Sequence, residues 1–336
     1  MSHRVRVLSS YIYAGDEGPF SSMGRRNRWF HGFVAGLVRQ GSSLNDLALD
    51  FVRLPNDAAG VEAVHGECLE QQVELVICAG TDAIMRWARA CRDIPSLYFG
   101  AHPENNGLEV IRQPNVSGVR LNLPLIWSYR NFSLLRELVP NLRAVYIPLN
   151  LESEFAFANV RAAYTEVRRR DNGFWIPGSS GFIGHRSVHF LAERLGCDYY
   201  EGPYASVDEL MDGLDAARRQ GLEGTAFVGF NDTVLMEHAA NRFREWCGEN
   251  GAPLFWVNNW PIIAAGGVAD FSSHFEEVGK ALSTQVLAIL RDGRPVDEVP
   301  FAEDPGEHLS LNLRRCAELS LDVSDALRSR FQTVQA

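Results

Sequence analysis

The sequence predicts an α/β protein made of two doubly wound parallel-sheet lobes joined by three crossing segments. Three observations carry this. Short apolar runs alternate, from Val5 onward, with segments whose apolar residues recur at helical spacing. The rhythm breaks once, over QPNVSGVRLNLP at 113–124, and then resumes. The chain's 336 residues suit about two domains of roughly 150 residues each. Strands that alternate with helices call for a parallel sheet covered on both faces.

The elements follow in order. Residues 5–9 read as a short buried strand, and 29–38 as a helix with Trp29, Phe33 and Leu37 on one face, flanked by Phe30 and Val34. Strand 47–52 and helix 58–70 come next. The apolar run 75–79 stops at Gly80-Thr81-Asp82, the signature of a helix start, and the helix runs on through 83–91. Strands are expected at 96–99 and 116–121, the second with turn residues on both sides. After the break come strand 142–147, strand 174–177, helix 185–195, strand 198–201, helix 207–219, strand 225–230, helix 233–247 and strand 254–257.

Composition excludes several classes. A net charge of −10 lacks the basic footprint that nucleic acid requires, so no nucleic-acid partner is expected. The chain has one lysine, Lys280, which confines any lysine chemistry to that residue. The six cysteines, at 68, 78, 91, 197, 247 and 316, form no CxxC or zinc-type spacing. They read as reduced buried thiols, and no metal is expected. No apolar run of about 18 residues occurs, so no membrane span is expected. The start, MSHRVRVLSS, shows no apolar leader. If Met1 is the native start, the expectation is a cytoplasmic protein; otherwise an export signal has been removed.

In open α/β sheets, ligands lie beyond the carboxyl ends of the strands. That rule nominates Ser10 and Tyr11, Gly80 and Thr81, Gly100 and His102, Gly178 and Ser179, Asn231 and Asp232, and the Asn258–Trp260 turn. Two such sets facing each other would form a cleft. Gly80-Thr81 offers a hydroxyl and backbone N–H groups to a carboxylate, or is a plain cap. Tyr11, Trp127 and Trp260 each follow an expected strand and could sandwich a flat ligand, or pack in the core. Asp232 and Asp270 are the acids placed for polar contact. His185 and His189 stand four apart on a helix, with no third metal ligand near in sequence.

The stretch VELVICAGTDAIMRWARACRDIPSLYFGAHP resembles a segment of the ABC-transporter substrate-binding proteins, in the branch of the tryptophan and tyrosine uptake receptors. The resemblance continues in order through Asn115-Val116-Ser117-Gly118, Val139-Pro140-Asn141-Leu142-Arg143, Asn231-Asp232-Thr233 and Gly266-Gly267. It then takes in Phe271, Phe275, Gly279 (as the start of a long helix) and Leu311-Asn312-Leu313. It spans about 24–321. His102 stands where the family has an acid, and 151–181 is longer than the family's segment.

The resemblance implies a type I periplasmic binding-protein fold, a Venus-flytrap monomer with lobes at 1–120 plus 273–298 and 121–272 plus 299–336. The crossings would lie near 118–122, 269–273 and 299–309. It implies a small organic ligand, such as an aromatic amino acid, held by the residues above together with Asn122. It also implies an ABC permease or a signalling component as partner, a periplasmic location, no cofactor and no catalysis.

Two enzymatic readings compete. Gly178-Ser179-Ser180-Gly181-Phe182-Ile183-Gly184 resembles the dinucleotide turn of extended short-chain dehydrogenases. That turn sits mid-chain here, and Glu276, not tyrosine, stands four residues before Lys280. Cys78, ending a strand beside Gly80-Thr81, is similar to the thiol of cofactor-independent racemases. The matching position in the second half, 230–233, has no cysteine.

Overall fold

A computed structural model gives the architecture, and it describes residues 2–9, 28–101, 113–120, 129–150, 195–229, 239–257, 260–303 and 306–335. The chain divides into two compact units, Met1–Asn122 with Ser273–Gly306, and Leu123–Ser272 with Glu307–Ala336. The chain therefore passes from one unit to the other three times.

The first unit is built on a six-stranded sheet, in the order β11-β5-β4-β3-β1-β2. Its strands are β1 (His3–Ser9), β2 (Leu47–Arg53), β3 (Leu75–Ala79), β4 (Ser96–Ala101), β5 (Val116–Arg120) and β11 (Ala302–Glu303). Every neighbouring pair runs parallel. The central strand β3 is buried along its whole length and reads as a continuous apolar run, whereas the edge strands β2 and β11 are partly exposed.

One face carries helices α1 (Arg28–Arg39) and α8 (Phe275–Leu290). Trp29, Phe33 and Leu37 of α1 repeat at four-residue intervals, as do Val278, Leu282 and Val286 of α8. These stripes bury against Val5, Val7, Leu75, Ile77, Leu97 and Phe99. The two helices meet through glycines. A Cβ on Gly32 would overlap the Glu276 backbone, and one on Gly279 the Trp29 backbone. Gly279 does not start its helix, as the sequence suggested. It sits one turn in, where the crossing leaves no room for a side chain.

The other face carries α2 (Ala58–Glu70), capped by Asp57, and α3 (Thr81–Ala90). The buried Arg6 points to this side. Its guanidinium bonds Asp50 at 3.0 Å, Glu67 at 3.3 Å and Gln71 at 2.7 Å, which is how a buried cation is tolerated. The indole of Trp87 donates to Ser96 Oγ at 2.9 Å.

The second unit has a seven-stranded sheet, in the order β13-β12-β10-β9-β8-β6-β7. Its strands are β6 (Ala144–Asn150), β7 (Asp198–Tyr204), β8 (Thr225–Gly229), β9 (Leu254–Val257), β10 (Ala269–Ser273), β12 (Glu307–Asn312) and β13 (Thr333–Gln335). Its described helices are α4 (Tyr129–Leu138), α5 (Val207–Arg219), α6 (Ala240–Glu249), α7 (Trp260–Gly266), α9 (Leu313–Glu318) and α10 (Asp325–Arg328). The core joins Tyr146, Phe227, Phe243, Trp246, Trp256 and Ile263.

Helix α7 falls where the sequence reading placed only a turn. Pro261 occupies its first turn, where a missing N–H costs nothing, and Ile263 docks into the core. The expected strand at 174–177 and helix at 185–195 lie outside the described residues, except Leu195, which is helical. No helix among the described residues is long and apolar enough to cross a membrane.

Candidate functional site

The candidate site in the first unit starts where β3 ends. The apolar run Leu75–Ala79 fills the sheet, and Gly80 then turns the chain into α3. Gly80 has φ 90° and ψ 164°, a backbone region open to glycine almost alone. This conformation aims the Gly80 amide at the Phe99 carbonyl, which accepts its hydrogen bond at 2.9 Å. The turn of β3 is thereby pinned to the end of β4.

The N-cap of α3 is Gly80, which has no side chain to cap the helix. Its first N–H groups, led by Thr81, therefore present the positive end of the helix dipole at a half-buried position. Asp82 in the same turn already supplies one negative charge there.

Gly100 lies beside this turn. It adopts φ 65°, and a Cβ there would lie 3.9 Å from both the Gly80 nitrogen and Cε1 of Phe275. Beneath the turn, in the core, the Phe99 ring lies 4.5 Å from that of Trp29, centroid to centroid. The buried indole Nε1 of Trp29 meets no acceptor among the described residues. Sequence reasoning brought Gly80, Thr81 and Gly100 forward, and the structure places them together. Sequence reasoning missed Phe275 beside Gly100, because that neighbour comes from the far end of the chain; Trp29 packs in the core, as its helical spacing predicts. An uncapped helix end next to aromatic rings suits an anionic group attached to a flat apolar body.

In the second unit, Trp260 opens α7 just after β9 and is half-buried. Asp270 lies within β10 with no exposed surface, and Ser272 Oγ donates to its carboxylate. Asn312, also fully buried, receives the Arg315 amide at 3.2 Å and donates to the Ile263 carbonyl at 2.9 Å. Asn312 thus fixes the start of α9 to the end of α7. The remaining candidates, Ser10, Tyr11, His102, Asn122, Trp127, Gly178, Ser179, Asn231 and Asp232, lie outside the described residues. So do His185 and His189 and the rest of the Gly178–Gly184 turn.

Cys78 sits inside β3 with no exposed surface. Burial pushes its thiol well above the ordinary range, and the neighbouring Cys91 and Cys68 add to this. A nucleophile must be an accessible thiolate, and Cys78 is neither accessible nor ionised.

No protein-family model matches the chain, and no curated protein matches it. Solved structures do. A conserved domain protein from Vibrio cholerae O1 biovar El Tor superposes with a TM-score of 0.71 at 13% identity, covering 100% of both chains. An ABC domain in complex with L-Trp from Streptococcus pneumoniae gives 0.70 at 15% identity, covering 98% of this chain and 99% of its own. A ligand-free, open substrate-binding protein with adhesive properties from Clostridium difficile gives 0.61 at 16% identity, covering 99% of each. At such identities the likeness speaks to architecture, and with the two parallel-sheet units it establishes that the chain has the type I periplasmic binding-protein fold.

Proposed function

We propose that this protein is a solute-binding receptor that captures a small organic carboxylate and performs no chemistry on it. The observation that carries the reading is the β3–α3 turn. Gly80 holds a glycine-only conformation, and the uncapped N–H groups after it sit beside Gly100 and Phe275. Thr81 and these amides hold the carboxylate. Phe275, beside Gly100, contributes apolar surface on the same unit. The tryptophan-bound likeness supports an aromatic amino acid as the first ligand to try. The receptor delivers its ligand to an ABC-type permease or to a signalling component. The sealed Cys78 supports capture over thiol chemistry.

The test is a thermal-shift and calorimetry panel on the whole chain, with L-tryptophan, L-tyrosine, L-phenylalanine, tryptamine, neutral sugars and NAD. Ligands that bind only the folded state raise the melting temperature by mass action. An aromatic amino acid should raise it and tryptamine, which lacks the carboxylate, should not. A shift by NAD alone, or by tryptamine equally, would sink the reading.

A further inference from the structure

Helix α2 and the connection from α3 to β4 bring a histidine, a cysteine and a carboxylate together away from the Gly80 turn. His65 Nε2 stands 2.8 Å from Asp93 Oδ1. The thiol of Cys91 donates to the same oxygen at 3.4 Å. The three donor atoms all lie within 4.8 Å of one another. They belong to separate elements: His65 to α2, Cys91 to the end of α3, and Asp93 to the link that leads into β4 at Ser96. The cluster therefore lies at the amino end of β4, whereas Gly100 and the Gly80 turn lie at its carboxyl end.

Each donor is held in place. The Cys91 amide closes α3 on the Trp87 carbonyl at 2.8 Å. Asn115 Nδ2 grips the link from below, donating to the Cys91 carbonyl at 3.4 Å and the Ile94 carbonyl at 3.1 Å. The His65 imidazole stands edge-on to the Trp87 indole, with centroids 5.8 Å apart. Asp93 is more than half exposed, so the cluster opens to solvent on one side. Cys91 is sealed on the other.

We propose that His65, Cys91 and Asp93 form a three-ligand site for a borderline-soft divalent ion, Zn2+ in the first instance, with a fourth position left to water. One imidazole nitrogen, one sulfur and one carboxylate oxygen are the donor types that zinc takes. Tetrahedral coordination at about 2.0 Å to N and O and about 2.3 Å to S places donors roughly 3.3–3.6 Å apart. The Cys91–Asp93 separation is already in that range, and the His65–Asp93 pair needs to open slightly, which the exposed Asp93 permits. Binding replaces a proton. The Cys91 S–H bond breaks as the metal–sulfur bond forms, and the proton leaves to buffer. Without an ion, burial pushes this thiol up to about 12, and the charge of the ion makes the thiolate available. The bound ion ties α2 to the α3–β4 link.

The test is titration of the full chain with Co2+, under a reductant that does not bind metal. One equivalent should raise a near-ultraviolet sulfur-to-cobalt band and visible bands of four-coordinate cobalt, and Zn2+ should bleach both. Cys91→Ser should remove the sulfur band. Asp93→Asn and His65→Gln, at exposed and half-buried positions, should keep the metal-free fold. Each should weaken cobalt binding by more than about 100-fold, beyond the roughly 10–100-fold that losing a mere supporting partner costs. No sulfur band at one equivalent, a band that survives Cys91→Ser, or unchanged affinity in both other variants would each overturn the site.

Discussion

Gly279 lies directly against Trp29: a Cβ added to it would overlap the Trp29 carbonyl oxygen and stand only 2.6 Å from the Phe33 nitrogen. The neighbours are backbone atoms and cannot swing aside. Gly279→Ala should therefore destabilise by about 1–3 kcal/mol, as overpacking does, despite alanine's better helix propensity. Gly66 in α2 is the control, since nothing lies within 4 Å of its added Cβ. Gly66→Ala should stabilise by roughly 0.5–1 kcal/mol. Urea midpoints of the two variants, moving in opposite directions, check this.

Gly80 carries the strand-to-helix turn in a conformation that other residues avoid. Gly80→Ala should cost about 1–3 kcal/mol and weaken ligand binding as well, because the α3 amides must shift. Thr81→Ala should leave stability nearly unchanged and weaken binding of a carboxylate ligand alone. Calorimetry with the acid and its amide separates the two effects. Equal losses for both ligands in Thr81→Ala would remove the anion role from this turn.

Cys78 faces the sheet interior, and its ionisation is suppressed by burial. Cys78→Ala should keep ligand affinity within about twofold while lowering stability by roughly 1 kcal/mol through the small cavity it leaves. Thiol-labelling of the native chain should leave this residue unmodified until the protein unfolds. Rapid labelling of Cys78 in the folded state would reopen the thiol-dependent alternative.

Lys280 Nζ lies 2.5 Å from Glu277 Oε1 and 3.6 Å from Glu276 Oε1. The Lys280 hydrogen bond holds the Glu277 carboxyl below its ordinary 4.5. A lowered folded value contributes stability above pH 4.5 and loses it as pH falls through the folded value. Lys280 is raised above 10.5, so its share is present below that pH and is lost as pH rises through its folded value. The pair is solvent-screened and contributes at most about 0.5 kcal/mol. Glu277→Gln should fall below wild type by this amount near neutrality. The two should converge in acid, and added salt should narrow the gap. A gap that persists in acid would assign the loss to something other than charge.

The architecture was legible where local signals agree. Helix Ala58–Glu70 follows the Asp57 cap, helix Val207–Arg219 follows the Ser206 cap, and β3 ends at a glycine turn. Their bounds match the sequence reading residue for residue. Elements defined by a partner were not legible. The two residues of β11 are a strand only because β5 lies beside them, and nothing in Ala302-Glu303 announces that. The family resemblance placed Gly279 at a helix start, whereas its position answers to Trp29 across the crossing. The sequence nominated Gly80 and Gly100 one at a time. Their adjacency comes from β3 and β4 pairing, which no single stretch contains. His65, Cys91 and Asp93 escaped spacing rules for the same reason, since their donors come from three elements.

The apolar interior of the first unit includes Val278, Leu282, Val286, Val296 and Val299 from the far end of the chain. During synthesis, β1 to β5 leave the ribosome long before the helix that must cover them. Until residues 275–303 emerge, Val5, Ile77 and Leu97 have only α1 on that face, without the helix that packs beside it. Nascent chains stalled short of this point should hold the first sheet unfinished and exposed to chaperones, and the two units should reach their native state nearly together, late in translation.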